Sequence, residues 1–286
     1  MFMDIGGCLI RMQEMMDSLS PKEQQLARYI ISQPALVVNM SIDELATSCS
    51  VSTSTVIRLC KNLRYSGFKD LCRSLCCDLS TGADVDFEDI HPGDTPENVM
   101  RNICLSSIRA IENTMALTNV EDLNSAVDVL CAAERIDFYG MGTSGSVALD
   151  AGSKFTRINK TVIAHADSHN QILSALTLGP KDAAVLISYS GETSDILNVA
   201  EEIRKQGTTI ITLTQYSKNS LAALGDINLY CVSTETLLRS GAMSSRIAQF
   251  AVIDTLYASV CSRMFDQVKS HLDRTRAITQ RAHIRG

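Results

Sequence analysis

The sequence predicts an all-α helix-turn-helix domain followed by an α/β domain with a doubly wound parallel sheet. Three observations carry this. Apolar residues recur at helical spacing from Leu9 to about Leu79, with a capping signal at several helix starts. The stretch 80–98 is acidic and holds Gly82, Pro92, Gly93 and Pro96. Beyond it, short and fully apolar runs alternate with amphipathic segments, the pattern of a parallel sheet covered on both faces.

The elements follow in order. Ser20-Pro21-Lys22-Glu23 reads as a helix start, with Ser as N-cap, Pro in the first turn and Glu at the capping-box position. Leu26, Ala27, Tyr29 and Ile30 continue it until Pro34. Ser41 and Glu44 open a second helix, and Ser52 a third that runs to Leu63. Tyr65 to Phe68 breaks the pattern, and Lys69 to Leu79 is helical again. Residues 1–79 are thus expected to form one domain. Residues 80–98, with six acids and no Lys or Arg, are expected to be a solvated linker. In 99–286, helices are expected over Val99–Ala116 and Val120–Ala133. Strands are expected at Arg135–Tyr139, Thr161–Ala164, Ala183–Ser188, Thr208–Leu213 and Ile227–Val232. Helices over Val147–Ile158, Ile172–Leu178 and Ile196–Gln206 separate them, and a long one spans Ala242–Phe265.

Composition narrows the function classes. The chain has 286 residues, enough for two domains. No apolar run approaches the roughly 20 residues of a membrane span, and no basic leader precedes an apolar core at the N-terminus. The expectation is a cytoplasmic protein without membrane partners. Ten scattered cysteines then read as reduced thiols. Cys72, Cys76 and Cys77 cluster, but they lack the second ligand pair of a zinc site, so neither metal nor cofactor is expected. The net charge of −6 opposes indiscriminate nucleic-acid binding. Its distribution is uneven: residues 1–80 are neutral, with eight basic and eight acidic residues. Arg58, Lys61, Arg64, Lys69 and Arg73 form a local basic run within them.

Residues 41–63 form the two-helix unit itself, with Ile42, Leu45, Ala46, Val51, Val56 and Leu59 as its small core. The second helix opens with Ser52, Thr53, Ser54 and Thr55, whose short hydroxyl side chains allow close approach to base edges. Arg58 and Lys61 follow three apart and suit phosphate. These six residues are the expected DNA contacts. A helical hairpin with a hydroxyl-rich cap shares the pattern; the basic run favours DNA.

Two loops follow strand ends and lead into helices. The first is Tyr139-Gly140-Met141-Gly142-Thr143-Ser144-Gly145-Ser146, the second Ser188-Tyr189-Ser190-Gly191-Glu192-Thr193-Ser194-Asp195. Helix N-termini in such places offer unpaired N–H groups and positive potential, and glycines let the backbone approach an anion. Ser188, Ser190 and Thr193, with Ser144 opposite and Gly142 and Gly191 in the turns, are the expected phosphate ligands. Gly140, Gly142 and Gly145 also fit a dinucleotide fingerprint, with Asp167 as a ribose partner. That reading leaves the second serine-rich loop unexplained, so it ranks below a sugar phosphate.

Together these residues resemble a known combination. Leu19–Leu79 resembles the helix-turn-helix of the RpiR family of bacterial regulators. Cys131–Phe265 resembles the sugar isomerase (SIS) domain that follows it there, through YGMGTSG, ISYSGETSDIL and SGAMSSRIAQFAVIDTLY. The resemblance implies a non-catalytic regulator that binds operator DNA as a homodimer or homotetramer and senses a sugar phosphate. It places the ligand phosphate on Ser144, Ser188, Ser190 and Thr193. The alternative is an aldose–ketose isomerase, because SIS domains also occur in such enzymes; His165, His169, Glu192 and Glu235 would then be the candidate bases.

Overall fold

The computed structural model describes residues 7–80, 93–233 and 242–284. The chain divides into a helical unit, mostly within residues 1–95, and an α/β unit that holds the sheet.

The helical unit contains α1 (Cys8–Glu14), α2 (Pro21–Ser32), the short α3 (Pro34–Val37), α4 (Ile42–Ser48), α5 (Thr53–Asn62) and α6 (Phe68–Ser80). Local chemistry sets the ends of these helices. Ser20 and Glu23 form a capping box at the start of α2, with Pro21 in its first turn. At α4 the Glu44 amide donates to Ser41 Oγ at 3.2 Å, and the Ser41 amide donates to Glu44 Oε2 at 2.7 Å. The turn between α4 and α5 places Ser50 at φ 51°, and the Val51 amide returns to the Ala46 carbonyl at 2.9 Å. With the Ser50 amide donating to the Thr47 carbonyl, this is the paired 6→1 and 5→2 hydrogen bonding of a Schellman helix end. Leu26, Leu45, Val56, Leu59 and Leu63 close the core of this unit. Helix α6 reaches Ser80, one residue into the stretch expected to be linker. Residues 81–92 of that stretch lie outside the described residues.

The α/β unit opens with α7 (Pro96–Leu117), which takes in the last residues expected to be linker, and α8 (Val120–Ala132). Then come β1 (Arg135–Gly140), α9 (Gly142–Thr156), β2 (Thr161–Ala164), α10 (Ser168–Ala175), β3 (Ala183–Ile187) and α11 (Ser194–Lys205). β4 (Thr209–Gln215), α12 (Ser220–Leu224), β5 (Ile227–Cys231), α13 (Met243–Arg263) and α14 (Phe265–Ile284) complete it. The five strands are all parallel in the order β2-β1-β3-β4-β5. The pleat sends alternate residues to two cores. Ile136, Phe138, Val185, Ile187, Ile211 and Leu213 join the apolar cluster that includes α8, α9 and α13 residues. Tyr139, Ala184, Leu186 and Ile210 join the cluster with Ala175, Ile196, Val199 and Leu221. The long helix expected over Ala242–Phe265 is α13, and a further helix, α14, follows it after Met264. No helix among the described residues is long and apolar enough to cross a membrane.

Candidate functional site: two helix-borne surfaces

In the helical unit, Ser52 is the N-cap of α5, and its Oγ accepts from the Thr55 amide at 3.3 Å. Ser52, Thr53, Ser54 and Lys61 are exposed. Thr55 is not presented as expected: it is only 6% exposed, and its Oγ1 lies 2.9 Å from Ser52 Oγ. The reason is helical phase, because Thr55 shares the inward face with Val56 and Leu59. Arg58 is exposed but already engaged. Its Nε donates to Glu23 Oε1 at 2.9 Å, and its Nη2 donates to Ser20 Oγ at 3.2 Å. Asn62 Nδ2 donates to the same Glu23 oxygen at 2.8 Å. Burial pushes the Glu23 carboxyl up in pKa, but hydrogen bonds from Ser20 and Arg58 outweigh it and hold the group below the usual glutamate range. Further along the basic run, Arg73 pairs with Asp70 at 2.6 Å.

In the α/β unit the strand order reverses direction between β1 and β3. That is the topological switch point where ligands bind in such sheets, beyond the carboxyl ends of the strands. The register aligns Gly140 with Ile187. The β1–α9 turn and the Ser188–Thr193 loop therefore leave the sheet side by side at one level, each leading to a helix N-terminus. The first turn is tight: a Cβ on Gly140 would lie 2.6 Å from the Ser144 carbonyl oxygen, so only glycine lets the strand end pass under α9. Gly142 is the exposed first residue of α9. Ser144 lies in the first turn of α9, 7% exposed, beside the Gln249 carboxamide on α13.

The second loop is a compact turn. The Ser188 amide donates to the Leu213 carbonyl at 3.1 Å, and the Gly191 amide donates to the Ser188 carbonyl at 3.1 Å. Ser188 Oγ lies 3.0 Å from Thr193 Oγ1, so these two expected ligands are together. Ser190 Oγ accepts from the Glu192 amide at 3.2 Å. Gly191 has φ +67°, and a Cβ there would collide with the Asn219 side chain at 2.1 Å. Tyr189 ties the loop to the next strands: its carbonyl accepts from the Gln215 amide at 2.7 Å, and its hydroxyl accepts from the Ser233 amide at 3.0 Å. Ser233 Oγ in turn lies 2.8 Å from Ser244 Oγ on α13. Sequence pattern alone does not single out Gln249 or Tyr189, since each acts through partners remote in the chain.

Of the groups weighed for other chemistries, Asp167 and Glu192 have local hydrogen-bond partners. Asp167, the ribose partner of the lower-ranked dinucleotide reading, is the N-cap of α10; its two oxygens accept from the Asn170 amide at 2.8 Å and from Asn170 Nδ2 at 2.7 Å. Glu192 Oε1 accepts from the Ser220 amide at 2.8 Å, at the start of α12. The His165 carbonyl accepts from Gln171, and His169 is exposed on α10. Glu235 lies outside the described residues.

A two-helix reader with a hydroxyl-fronted second helix, followed by a doubly wound sheet with two hydroxyl-rich turns at its switch point, defines a class: helix-turn-helix regulators with an α/β domain. Known families agree. Residues 6–82 match the helix-turn-helix domain of the rpiR family, and residues 129–259 match the SIS domain. An uncharacterised HTH-type transcriptional regulator of Caldanaerobacter subterraneus subsp. tengcongensis is 38% identical over 92% of this chain and 93% of its own. The regulator YbbH of Bacillus subtilis is 36% identical over 99% of this chain and 100% of its own. Among solved structures, the Vibrio vulnificus NanR protein complexed with ManNAc-6P aligns with a TM-score of 0.61 and 25% identity, over 96% of this chain and 98% of that one. The chain belongs to the rpiR family of helix-turn-helix transcriptional regulators that carry a SIS domain.

Proposed function

We propose that this protein is a cytoplasmic, non-enzymatic regulator whose helical unit binds operator DNA and whose α/β unit binds a phosphorylated sugar without transforming it. The observation that carries the effector half is the Gly140–Ile187 register, which sets Ser144 and the Ser188–Thr193 turn on either side of the switch point. Phosphate there would meet the N-terminal ends of α9 and α11 and the hydroxyls of Ser144, Ser188, Ser190 and Thr193. The NanR complex with ManNAc-6P supports a sugar phosphate as the ligand class. A non-catalytic role is supported by the names of the relatives, which are transcriptional regulators along nearly their whole length. In the helical unit, Ser52, Thr53, Ser54, Arg58 and Lys61 are the proposed DNA contacts. The ligand acts by binding two arrangements of the DNA-binding units with different affinity. We place the acidic stretch 80–98 between the two functional domains, 1–79 and 99–286.

The protein acts as a homo-oligomer in this reading. Met100, Ile108, Ile111 and Met115 stand exposed on α7 at helical spacing, and such a stripe suits a contact with a second copy.

A sugar-phosphate panel followed by thermal shift identifies the effector, because a ligand stabilises the state it binds. Calorimetry then compares the native protein with Ser190→Ala combined with Thr193→Ala. Losing hydroxyl donors to an anion costs roughly 1.5–3 kcal/mol, about ten-fold or more in affinity. Operator binding without effector stays intact. An effector titration that does not move in this variant removes the proposed site.

A further inference from the structure

Ser144 and Gln249 are 105 residues apart in sequence and touch in the core, where Gln249 is 1% exposed. The Gln249 carboxamide lies beside the serine hydroxyl, with Nε2 at 3.1 Å and Oε1 at 3.3 Å from Oγ. A serine hydroxyl has one proton and two lone pairs. If it gives that proton to Oε1, it can offer a ligand only lone pairs. If it accepts from Nε2, its proton is free for a ligand. A neutral amide serves either state without burying a charge.

Resting on the anion site proposed above, we propose that Gln249 is a positioning residue that sets the polarity of Ser144: by donating Nε2–H to Ser144 Oγ, it turns the serine proton toward the ligand. Ser144 then presents a donor and not an acceptor. The site reads an oxyanion face that only accepts hydrogen bonds, the state of an ionised phosphomonoester. It gives no reward to a protonated oxygen at that position. The Nε2 contact is the shorter of the two, 3.1 Å against 3.3 Å, and Val147, Ala148, Ala151, Ala248 and Val252 hold α9 and α13 together in one cluster.

Two tetrahedral anions test this. Sulfate has no proton to give at neutral pH, whereas hydrogen phosphate has one. The full chain is titrated with each salt, and binding is followed by thermal shift and by competition with the identified effector. The native protein is expected to bind both with similar affinity. Measured at a pH high enough to ionise the introduced carboxyl, where phosphate is the hydrogen phosphate dianion, Gln249→Glu replaces the amide by a group that only accepts, so the Ser144 proton turns inward and Oγ faces the ligand with lone pairs. Sulfate binding is then expected to fall about ten-fold further than hydrogen phosphate binding, because only the latter can turn a proton to Oγ. In the Ser144→Ala background this change of preference disappears, since no hydroxyl remains to redirect. A purely structural role for Gln249 would weaken both anions alike, in either background.

Should Gln249→Glu fail to fold, Gln249→Met supplies the second measurement. It keeps the packing volume and is expected to weaken both anions only where Ser144 retains its hydroxyl. A Gln249→Glu preference equal to the native one, or a Gln249→Met effect independent of Ser144, overturns the inference. Ser190→Ala is the control. If it weakens both anions while the Gln249 variants keep the native behaviour, only the polarity role fails. If neither anion binds the native protein, or Ser190→Ala changes neither, the anion site itself fails, and the role of Gln249 with it.

Discussion

Glu23 of α2 holds Arg58 of α5 through a 2.9 Å hydrogen bond from the guanidinium Nε, with the glutamate side chain 4% exposed and the arginine 58% exposed. One residue thus completes the capping box of its own helix and fixes the side chain of a proposed DNA contact. Glu23→Gln removes the charge and sets amide protons against the donors of Arg58 and Asn62. The expected cost is about 1–3 kcal/mol in the stability of the helical unit, read as a lower urea midpoint. The sign with pH follows from the lowered carboxyl pKa. The stabilisation is fully present above the ordinary glutamate value of about 4.3 and is lost as pH falls through the folded-state value. The native protein should therefore lose stability on acidification more steeply than Glu23→Gln. Equal acid sensitivity would show that the ion pair contributes nothing.

The same pairing separates Arg58 from Lys61. Lys61→Ala should lower the slope of log affinity against log salt by about 0.9 for each phosphate contact removed, with stability unchanged. Arg58→Ala should lower both the slope and the urea midpoint, because it also strips Glu23 of a partner. Ser54 substitutions should change operator preference instead. Thr55→Ala, at a buried position, should cost about 1 kcal/mol of stability and leave the salt slope alone. Electrophoretic mobility shifts at several salt concentrations measure the slopes and the operator preference, urea unfolding measures the stabilities, and a native slope in Lys61→Ala argues against phosphate contact there.

A third test addresses the second loop. Gly191→Ala forces a Cβ into Asn219 at a left-handed backbone position. Asn219 in turn caps α12 through the Ala222 amide at 2.8 Å. The substitution should displace the Ser188–Thr193 turn and abolish effector response, at a stability cost of about 1–3 kcal/mol from strain and the disturbed cap. Calorimetry showing native effector affinity would mean that the turn is not the binding loop.

Much of this architecture was legible locally. The boxes at Ser20–Glu23 and Ser41–Glu44 announce helix starts because their hydrogen bonds close within three residues. The run Ala183–Ile187 announces a central strand because every residue is buried. The two turns at the switch point stand out because glycine and hydroxyls follow strand ends. Other features depend on partners distant in sequence, which no window along the chain contains. Arg58 meets Glu23 across 35 residues, and Ser144 meets Gln249 across 105. The inward turn of Thr55 depends on helix phase, which a run of four hydroxyl residues hides. Helix α14, from Phe265 onward, is not among the elements expected from the sequence.

Asp137 combines near and distant partners, and it yields the last prediction. It sits in the centre of β1 with 0% exposure, where a carboxylate without partners would be strongly destabilising. Arg135, two residues earlier on the same face, supplies two hydrogen bonds: Nε to Oδ1 at 2.7 Å and Nη2 to Oδ2 at 2.6 Å. Ser174 of α10 donates to Oδ2 at 2.6 Å, and the Tyr139 hydroxyl donates to it at 2.9 Å. Burial, with the Asp137 charge beside it, pushes the Tyr139 hydroxyl well above its ordinary pKa, so it remains a proton donor. Arg135 also donates to Thr177 Oγ1 at 3.0 Å, fastening the end of α10 to the start of β1. Arg135→Met leaves a buried charge with two neutral donors and no counter-ion, and the expected loss is about 3–5 kcal/mol. Set against a typical stability of about 5–15 kcal/mol, that is a large share. Arg135→Met combined with Asp137→Leu removes both charges and should recover part of the loss, since the pair stabilises less than the orphaned charge destabilises. Urea unfolding of the single and double variants gives the coupling. A double variant no more stable than Arg135→Met would show that the arginine acts through its contacts to α10 and not through the charge of Asp137.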